Sequence, residues 1–288
     1  FGRLWVGTDR GVAVMSDRQA GVFEQRGLSA LLSIAEDSHG NLWFSQRNGL
    51  SMLRPGATDY LHFEHDPADA NGLGPGSIWQ LHVGPQGNLW TPGNMVSWLP
   101  PTALAISLFP YPEGHTGSAP TMTLDHKGAV WVGDMDGLRR LDPVTSEWQH
   151  WIPFEDPASE RDNWVRGGNY VAPDGTYWVA TNSALSAFDP STGEFRPFDL
   201  PTAAQSMTMT RDGMLWLGLA FRGLAQYDPI NQVLERYPHD PNDPETISHD
   251  FAYVVLEDAE GFLWVGTQQG LNRFERETGK ASRYFSVP

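Results

Sequence analysis

Glycine, two residues and tryptophan recur as a phrase seven times along this 288-residue chain. The copies are Gly2-Arg3-Leu4-Trp5, Gly40-Asn41-Leu42-Trp43, Gly87-Asn88-Leu89-Trp90, Gly128-Ala129-Val130-Trp131, Gly175-Thr176-Tyr177-Trp178, Gly213-Met214-Leu215-Trp216 and Gly261-Phe262-Leu263-Trp264. Successive tryptophans are 38, 47, 41, 47, 38 and 48 residues apart, a period of about 43. Most copies continue as Val-Gly-Thr or a near variant and close on Gly-Leu. A period of this length means that each copy is one supersecondary unit stacked on its neighbours.

The last copy shows what the unit is. Residues 251–256, 262–266, 271–274 and 280–285 are rich in β-branched and aromatic residues, and turn residues separate them. Four short antiparallel strands in about 43 residues make a propeller blade. The expected fold class is all-β: a seven-bladed β-propeller of four-stranded blades, with residues 1–288 forming a single domain. The chain starts at the turn before its first Gly-x-x-Trp, so the first blade is expected to lack its innermost strand and the total to be 27 strands of 28. The missing strand is expected upstream in a longer parent protein. The glycine three before each tryptophan should take φ > 0 in a tight hairpin. The tryptophan, which buries ~150–250 Å², should pack between blades. The third blade departs from the pattern. Pro92 follows Trp90-Thr91, and a proline cannot donate to a ladder, so this strand should end early or bulge. The fifth has Ala180 and Ala184 where glycines stand elsewhere.

Composition narrows the function. Nineteen basic against 35 acidic residues give a net charge of −16, which argues against a groove for nucleic acid and against direct contact with a membrane surface. No apolar run approaches the length of a membrane span. The absence of cysteine removes disulfides, thiol catalysis and thiolate metal sites. The nine histidines form no metal-ligand spacing, and no cofactor motif is present. Asp134-x-Asp136 is the best carboxylate pair. It underlies an enzymatic alternative, a lyase or glycoside hydrolase acting on a polysaccharide. Asp142-Pro143, Asp189-Pro190 and Asp228-Pro229 read as turn starts.

Several phrases resemble the two-component regulator propeller repeat: Glu36-Asp-Ser-His-Gly-Asn-Leu-Trp43, Glu257-Asp-Ala-Glu-Gly-Phe-Leu-Trp-Val-Gly-Thr267, Gly270-Leu-Asn-Arg-Phe274 and the link His239-Asp-Pro-Asn-Asp-Pro-Glu-Thr-Ile-Ser248. The resemblance implies a periplasmic sensor domain of a bacterial inner-membrane signalling protein, with a histidine kinase or diguanylate cyclase as output elsewhere in that protein. It implies no catalytic residues in the propeller, and carbohydrate-derived ligands.

In a propeller, the loops between second and third strands share one face with the blade-to-blade links. Variable loops on a rigid scaffold collect binding residues. The ligand-binding residues expected there are Arg10, Arg47, Asn94, Asp134, Asp136, Asn182, Arg222 and Gln268. Trp79 and Trp164, each after a long link and at the start of an innermost strand, are expected to flank them and stack on a sugar ring. Phe221 stands in the same loop as Arg222. The expected partners are a small polar ligand, oligosaccharides included, neighbouring domains of the same protein, and a second copy in the parent receptor. A purely structural platform for another protein is the remaining alternative.

Overall fold

Runs of β-branched and aromatic residues, broken every few positions by turn residues, drive each repeat into an antiparallel meander. A computed structural model describes residues 3–8, 11–17, 22–25, 27–28, 31–47, 49–69, 71–100, 106–112, 119–154, 163–165 and 167–285. Blade 1 contains β1 (Trp5–Thr8), β2 (Gly11–Asp17) and β3 (Val22–Gln25). Blade 2 contains β4 (Leu31–Glu36), β5 (Leu42–Gln46), β6 (Gly49–Leu53) and β7 (Leu61–Glu64). Blade 3 contains β8 (His82–Val83), β9 (Leu89–Thr91), β10 (Met95–Leu99) and β11 (Ser107–Pro110). Blade 4 contains β12 (Thr121–Leu124), β13 (Val130–Asp134), β14 (Gly137–Asp142) and β15 (Glu147–Trp151). Blade 5 contains β16 (Asn169–Val171), β17 (Tyr177–Ala180), β18 (Ala184–Asp189) and β19 (Glu194–Asp199). Blade 6 contains β20 (Ala204–Met209), β21 (Leu215–Leu219), β22 (Gly223–Asp228) and β23 (Val233–Tyr237). Blade 7 contains β24 (Ala252–Glu257), β25 (Leu263–Thr267), β26 (Gly270–Glu275) and β27 (Lys280–Tyr284).

Every sheet pairs its strands in chain order, and blade 1 has three strands where the others have four. The fold is therefore the expected seven-bladed all-β propeller, with the expected strand missing from blade 1. The chain divides into two compact units, Phe1–Asp134 with Arg139–His150, and Met135–Leu138 with Trp151–Pro288. The first carries blades 1 to 3 and most of blade 4, and the second carries blades 5 to 7. In blade 3, β9 ends at Thr91, directly before Pro92, as the sequence leads one to expect, and β8 has only two residues. Trp79 precedes β8 and Trp164 precedes β16, so both stand on links and not within the innermost strands.

The two glycines of the last repeat serve different needs. Gly261, in the turn before β25, has φ +89°, where a side chain would be strained. Gly270, at the start of β26, has φ +125°, and a Cβ there would lie 2.6 Å from the Tyr284 carbonyl oxygen on β27. The first glycine makes the hairpin, and the second lets the fourth strand approach.

The repeat tryptophans form the joints between consecutive blades. Trp43 packs with Ile78, Leu81 and Leu89 of blade 3. Trp90 packs with Met122, Val130 and Val132 of blade 4. Within the second unit, Trp178 joins Leu215, Leu217 and Tyr227 of blade 6, and Trp216 joins Val255, Leu263 and Phe274 of blade 7. Burial at ~25 cal/mol per Å² makes each joint worth several kcal/mol before entropy is subtracted.

An aspartate six residues before the tryptophan fixes the ring. Asp258 accepts from the backbone N–H groups of Glu260 and Phe262, and its Oδ2 accepts from Trp264 Nε1 at 2.9 Å. Asp37 does the same for His39, Asn41 and Trp43 Nε1, and Asp125 for Lys127, Ala129 and Trp131 Nε1. In blade 3 that position is Gly84, and Asn88 substitutes. With its amide oriented to accept, its oxygen lies 3.1 Å from Trp90 Nε1 and 2.6 Å from Trp98 Nε1. One carboxylate thus closes the hairpin and satisfies a buried indole.

Candidate functional site

The second-to-third-strand loops meet the blade-to-blade links through backbone hydrogen bonds. Ala220 N–H donates to Ala203 O, Gly223 N–H to Asp250 O, Gln268 N–H to Phe251 O, and in the first unit Ala119 N–H to Gly93 O. These bonds place loop and link at the same end of their blades, as a propeller requires.

The links are built structures. His65 Nδ1 lies 2.6 Å from Leu73 O, and His239 Nδ1 lies 2.7 Å from Ile247 O. A carbonyl only accepts, so Nδ1 carries the proton in both. Asp66 and Asp240 each cap a turn by accepting from the residue two further on, and Asp69 and Asp243 repeat the device. Arg283 secures the second link, donating to the carbonyls of Asp243 and Thr246 at 2.7 Å. The third link, residues 155–162, lies outside the described residues.

The loop residues expected from sequence fall into distinct settings. Arg10 lies outside the described residues. Arg47, Asn94, Arg222 and Gln268 are exposed on their loops. Asn182 and Asp136 are half-buried. Asp134 is 1% exposed, and its Oδ2 accepts from Arg139 Nε at 2.7 Å. Burial, with the Asp134 charge beside it, pushes the neighbouring Tyr111 phenol above its ordinary range. Asp134 therefore belongs to a buried polar cluster with Arg139 and Tyr111. Trp79 is 44% exposed, whereas Trp164 is half-buried. Among the described residues, no cluster of histidine, aspartate and glutamate could hold a metal ion.

Between blades 6 and 7, three aromatic side chains that sequence reasoning did not bring together form one surface. Phe221 lies with its centroid 4.7 Å from Phe251 at 87°, and Phe251 lies 4.6 Å from Tyr253 at 44°. Phe221 is 67% exposed and Tyr253 is 51% exposed. Two backbone irregularities present them. Phe221 has φ +60°, an uncommon conformation for a bulky residue and a costly one. Tyr253 occupies a β-bulge: the β24–β25 register shifts between Ala252 and Val254. A bulge re-aims a side chain, and this one breaks the alternation that would have buried the ring. The Gln268 N–H donates to the Phe251 carbonyl, tying the β25–β26 loop to this segment. His249 Nδ1 accepts from Phe251 N–H, which leaves Nε2 as the donor of its ring. The arrangement offers aromatic faces ringed by donors and acceptors, the chemistry suited to stacking on an apolar face while binding polar groups at its edge. Phe221, standing in a polar loop, was the one sequence signal.

Residues 246–269, from the end of the blade 6–7 link to the loop after β25, match the family model described as the two component regulator propeller. The last blade is thus similar to a two component regulator propeller repeat. The aromatic surface of Phe251 and Tyr253 lies within this propeller repeat. Among solved structures, the extracellular domain of the putative hybrid two component system BT3049 from B. thetaiotaomicron superposes with a TM-score of 0.75 at 17% identity. The match covers 99% of this chain and 46% of that one, so the chain spans less than half its length. The WD40 β propeller domain of Doa1 superposes with a TM-score of 0.72 at 14% identity, covering 97% of this chain and 89% of that one. PorZ of Porphyromonas gingivalis, a surface component of the type-IX secretion system, gives a TM-score of 0.67 at 16% identity over 96% of this chain and 45% of that one. Identities this low establish the propeller fold. No curated protein matches the sequence.

Proposed function

We propose that this chain is the extracytoplasmic ligand-sensing propeller of a bacterial signal-transduction protein, without catalytic activity of its own. It binds a small polar ligand, with carbohydrate as the chemical class, on the aromatic surface of Phe221, Phe251 and Tyr253. The repeat-family match in blade 7 and the likeness to an extracellular two-component domain support the signalling role. The observation that carries the ligand site is the exposed aromatic trio, held out by a strained loop residue and a bulge. Evolution retains such strain where presentation matters more than stability. Ligand binding would bias the output domain by favouring one arrangement of the receptor over another. Neighbouring domains and a second receptor copy are the partners through which that bias would travel.

The test is a thermal-shift screen of neutral oligosaccharides, followed by calorimetry on the native chain and on Phe221→Gly and Tyr253→Ala. A glycan that stabilises the native chain and binds each variant at least tenfold more weakly supports the site. A glycan that binds all three alike, or a library that stabilises none, removes it.

A further inference from the structure

An arginine in a strongly acidic chain normally finds a carboxylate or carbonyl partner, and in the second unit most do. Arg196 lies in the field of Asp189. Arg211 donates to the Ala259 and Asp258 carbonyls. Arg273 pairs with Glu260, Arg276 with Asp212 and Glu257, and Lys280 with Glu245. Arg283 clamps the link. Among the described residues of this unit, Arg196, Arg222 and Arg236 make no ion pair and no side-chain hydrogen bond, and Arg196 alone of the three lies in the field of a carboxylate named above.

Both of them line the same open cleft of about 490 Å³, together with Asp199, Leu200, Pro201 and Leu234. The fold explains the meeting. On β23, Leu234 and Arg236 are two apart and share a face. Leu234 packs against the blade 5–6 core beside Leu200. Arg222 reaches the cleft from the turn between β21 and β22, and Asp199 closes β19 at its rim. The result is an apolar floor, two free guanidinium groups above it and one carboxylate at the edge.

We propose that this cleft binds a carboxylate carried on a hydroxylated carbon skeleton. Guanidinium groups match the planar, bidentate geometry of a carboxylate. Pro201 is exposed at the floor and Leu234 half-buried beside it, which suits a ligand with a carbon face. Asp199 accepts from a ligand hydroxyl. It also repels a dianion such as sulfate more than a monoanion, as does the chain's net charge of −16. The cleft shares the β21–β22 turn with Phe221, but none of the three aromatic side chains lines it.

Calorimetry with glucuronate, glucose and sulfate at low ionic strength tests the assignment on the native chain and on the double variant Arg222→Gln/Arg236→Gln. Both side chains are exposed, so the double variant should keep the native melting temperature. Glucuronate should saturate the native chain below about 10 mM. Glucose and sulfate should each bind at least tenfold more weakly, and the double variant should lose at least tenfold for glucuronate alone. Equal binding of glucose means that the guanidinium groups do not read charge. Equal binding of sulfate means that the cleft takes any anion. Unchanged glucuronate binding by the double variant places the site elsewhere. Each of these results, or no saturation at all, overturns the proposal.

Discussion

Trp216 is fully buried at the joint between blades 6 and 7, and its Nε1 has no hydrogen-bond partner. The aspartate that serves Trp43, Trp131 and Trp264 is Thr210 here, and its Oγ1 instead reaches Asp212 and the Met214 carbonyl. The turn itself is already formed, with Thr210 N–H donating to Met214 O and Gly213 N–H to Thr210 O. A buried N–H without a partner costs about 1–3 kcal/mol, and a charge-assisted bond recovers much of that. Burial of the new carboxylate and repulsion from Asp212 oppose the gain. Thr210→Asp should therefore raise stability by about 1 kcal/mol, or a melting temperature by roughly 2–4 °C, read by scanning calorimetry at pH 7. A lower melting temperature would mean that the aspartate closes the turn without contributing through the indole. Acid should expose the same device in blade 2. Burial alone would raise the Asp37 carboxyl, but bonds from Trp43 and Asn41 outweigh it and hold it below its ordinary value of 3.8. A depressed folded-state value stabilises above the unfolded value, and the contribution is lost as pH falls through the folded one. Urea midpoints measured from pH 6 to pH 2.5 should fall steeply below about pH 4. Asp37→Asn keeps an acceptor for Trp43 but does not ionise, so its decline should be shallower.

At the scale of strands and loops, the period, the hairpin glycines and the missing strand of blade 1 were all legible in the sequence, because each repeats in phase. The early end of β9 could be read from Pro92. The aspartate six residues before the tryptophan was equally visible as spacing, but only the indole bond shows its role. The candidate ligand surface was not legible, for a physical reason. Phe251 and Tyr253 read as ordinary strand residues, since alternation assumes a regular pleat. The bulge at Ala252/Val254 breaks that pleat, and nothing in the residue types announces it. The same shift stands at Leu31/Ser33 in β4 and at Ala204/Ser206 in β20. The shift thus recurs in the first strands of blades 2, 6 and 7, and blade 7 uses it to aim a tyrosine. Phe221 shows how form and function separate. Leaving φ +60° relieves about 1–2 kcal/mol of strain on going to glycine, while the lost edge contact with Phe251 costs about 0.5–1.5 kcal/mol. Phe221→Gly should thus melt within a few degrees of the native chain, so a loss of ligand binding in this variant reports on the surface and not on unfolding.

For the whole molecule, charge is the dominant unspent quantity. A net charge of −16 opposes the compact state through self-repulsion, and few of the described ion pairs offset it. The pairs of Arg273, Arg276 and Lys280 are partly or largely exposed, a class worth at most about 1 kcal/mol each. Screening should therefore help the fold more than it harms it. Sodium chloride at about 1 M shortens the screening length to about 3 Å, against about 10 Å at 0.1 M. At pH 7.5 it should raise the melting temperature by several degrees. Near the isoelectric point of about 4.8, repulsion has vanished and only the ion pairs remain to be screened, so the same salt should give no rise. An equal rise at both pH values would assign the effect to salting-out of apolar surface and not to charge. The cleft of Arg222 and Arg236 should respond with the opposite sign. Its guanidinium groups face solvent within a repulsive field, so salt that strengthens the fold at pH 7.5 should weaken glucuronate binding in the same samples. Opposite responses in one titration would separate the charge that the fold tolerates from the charge that the ligand needs.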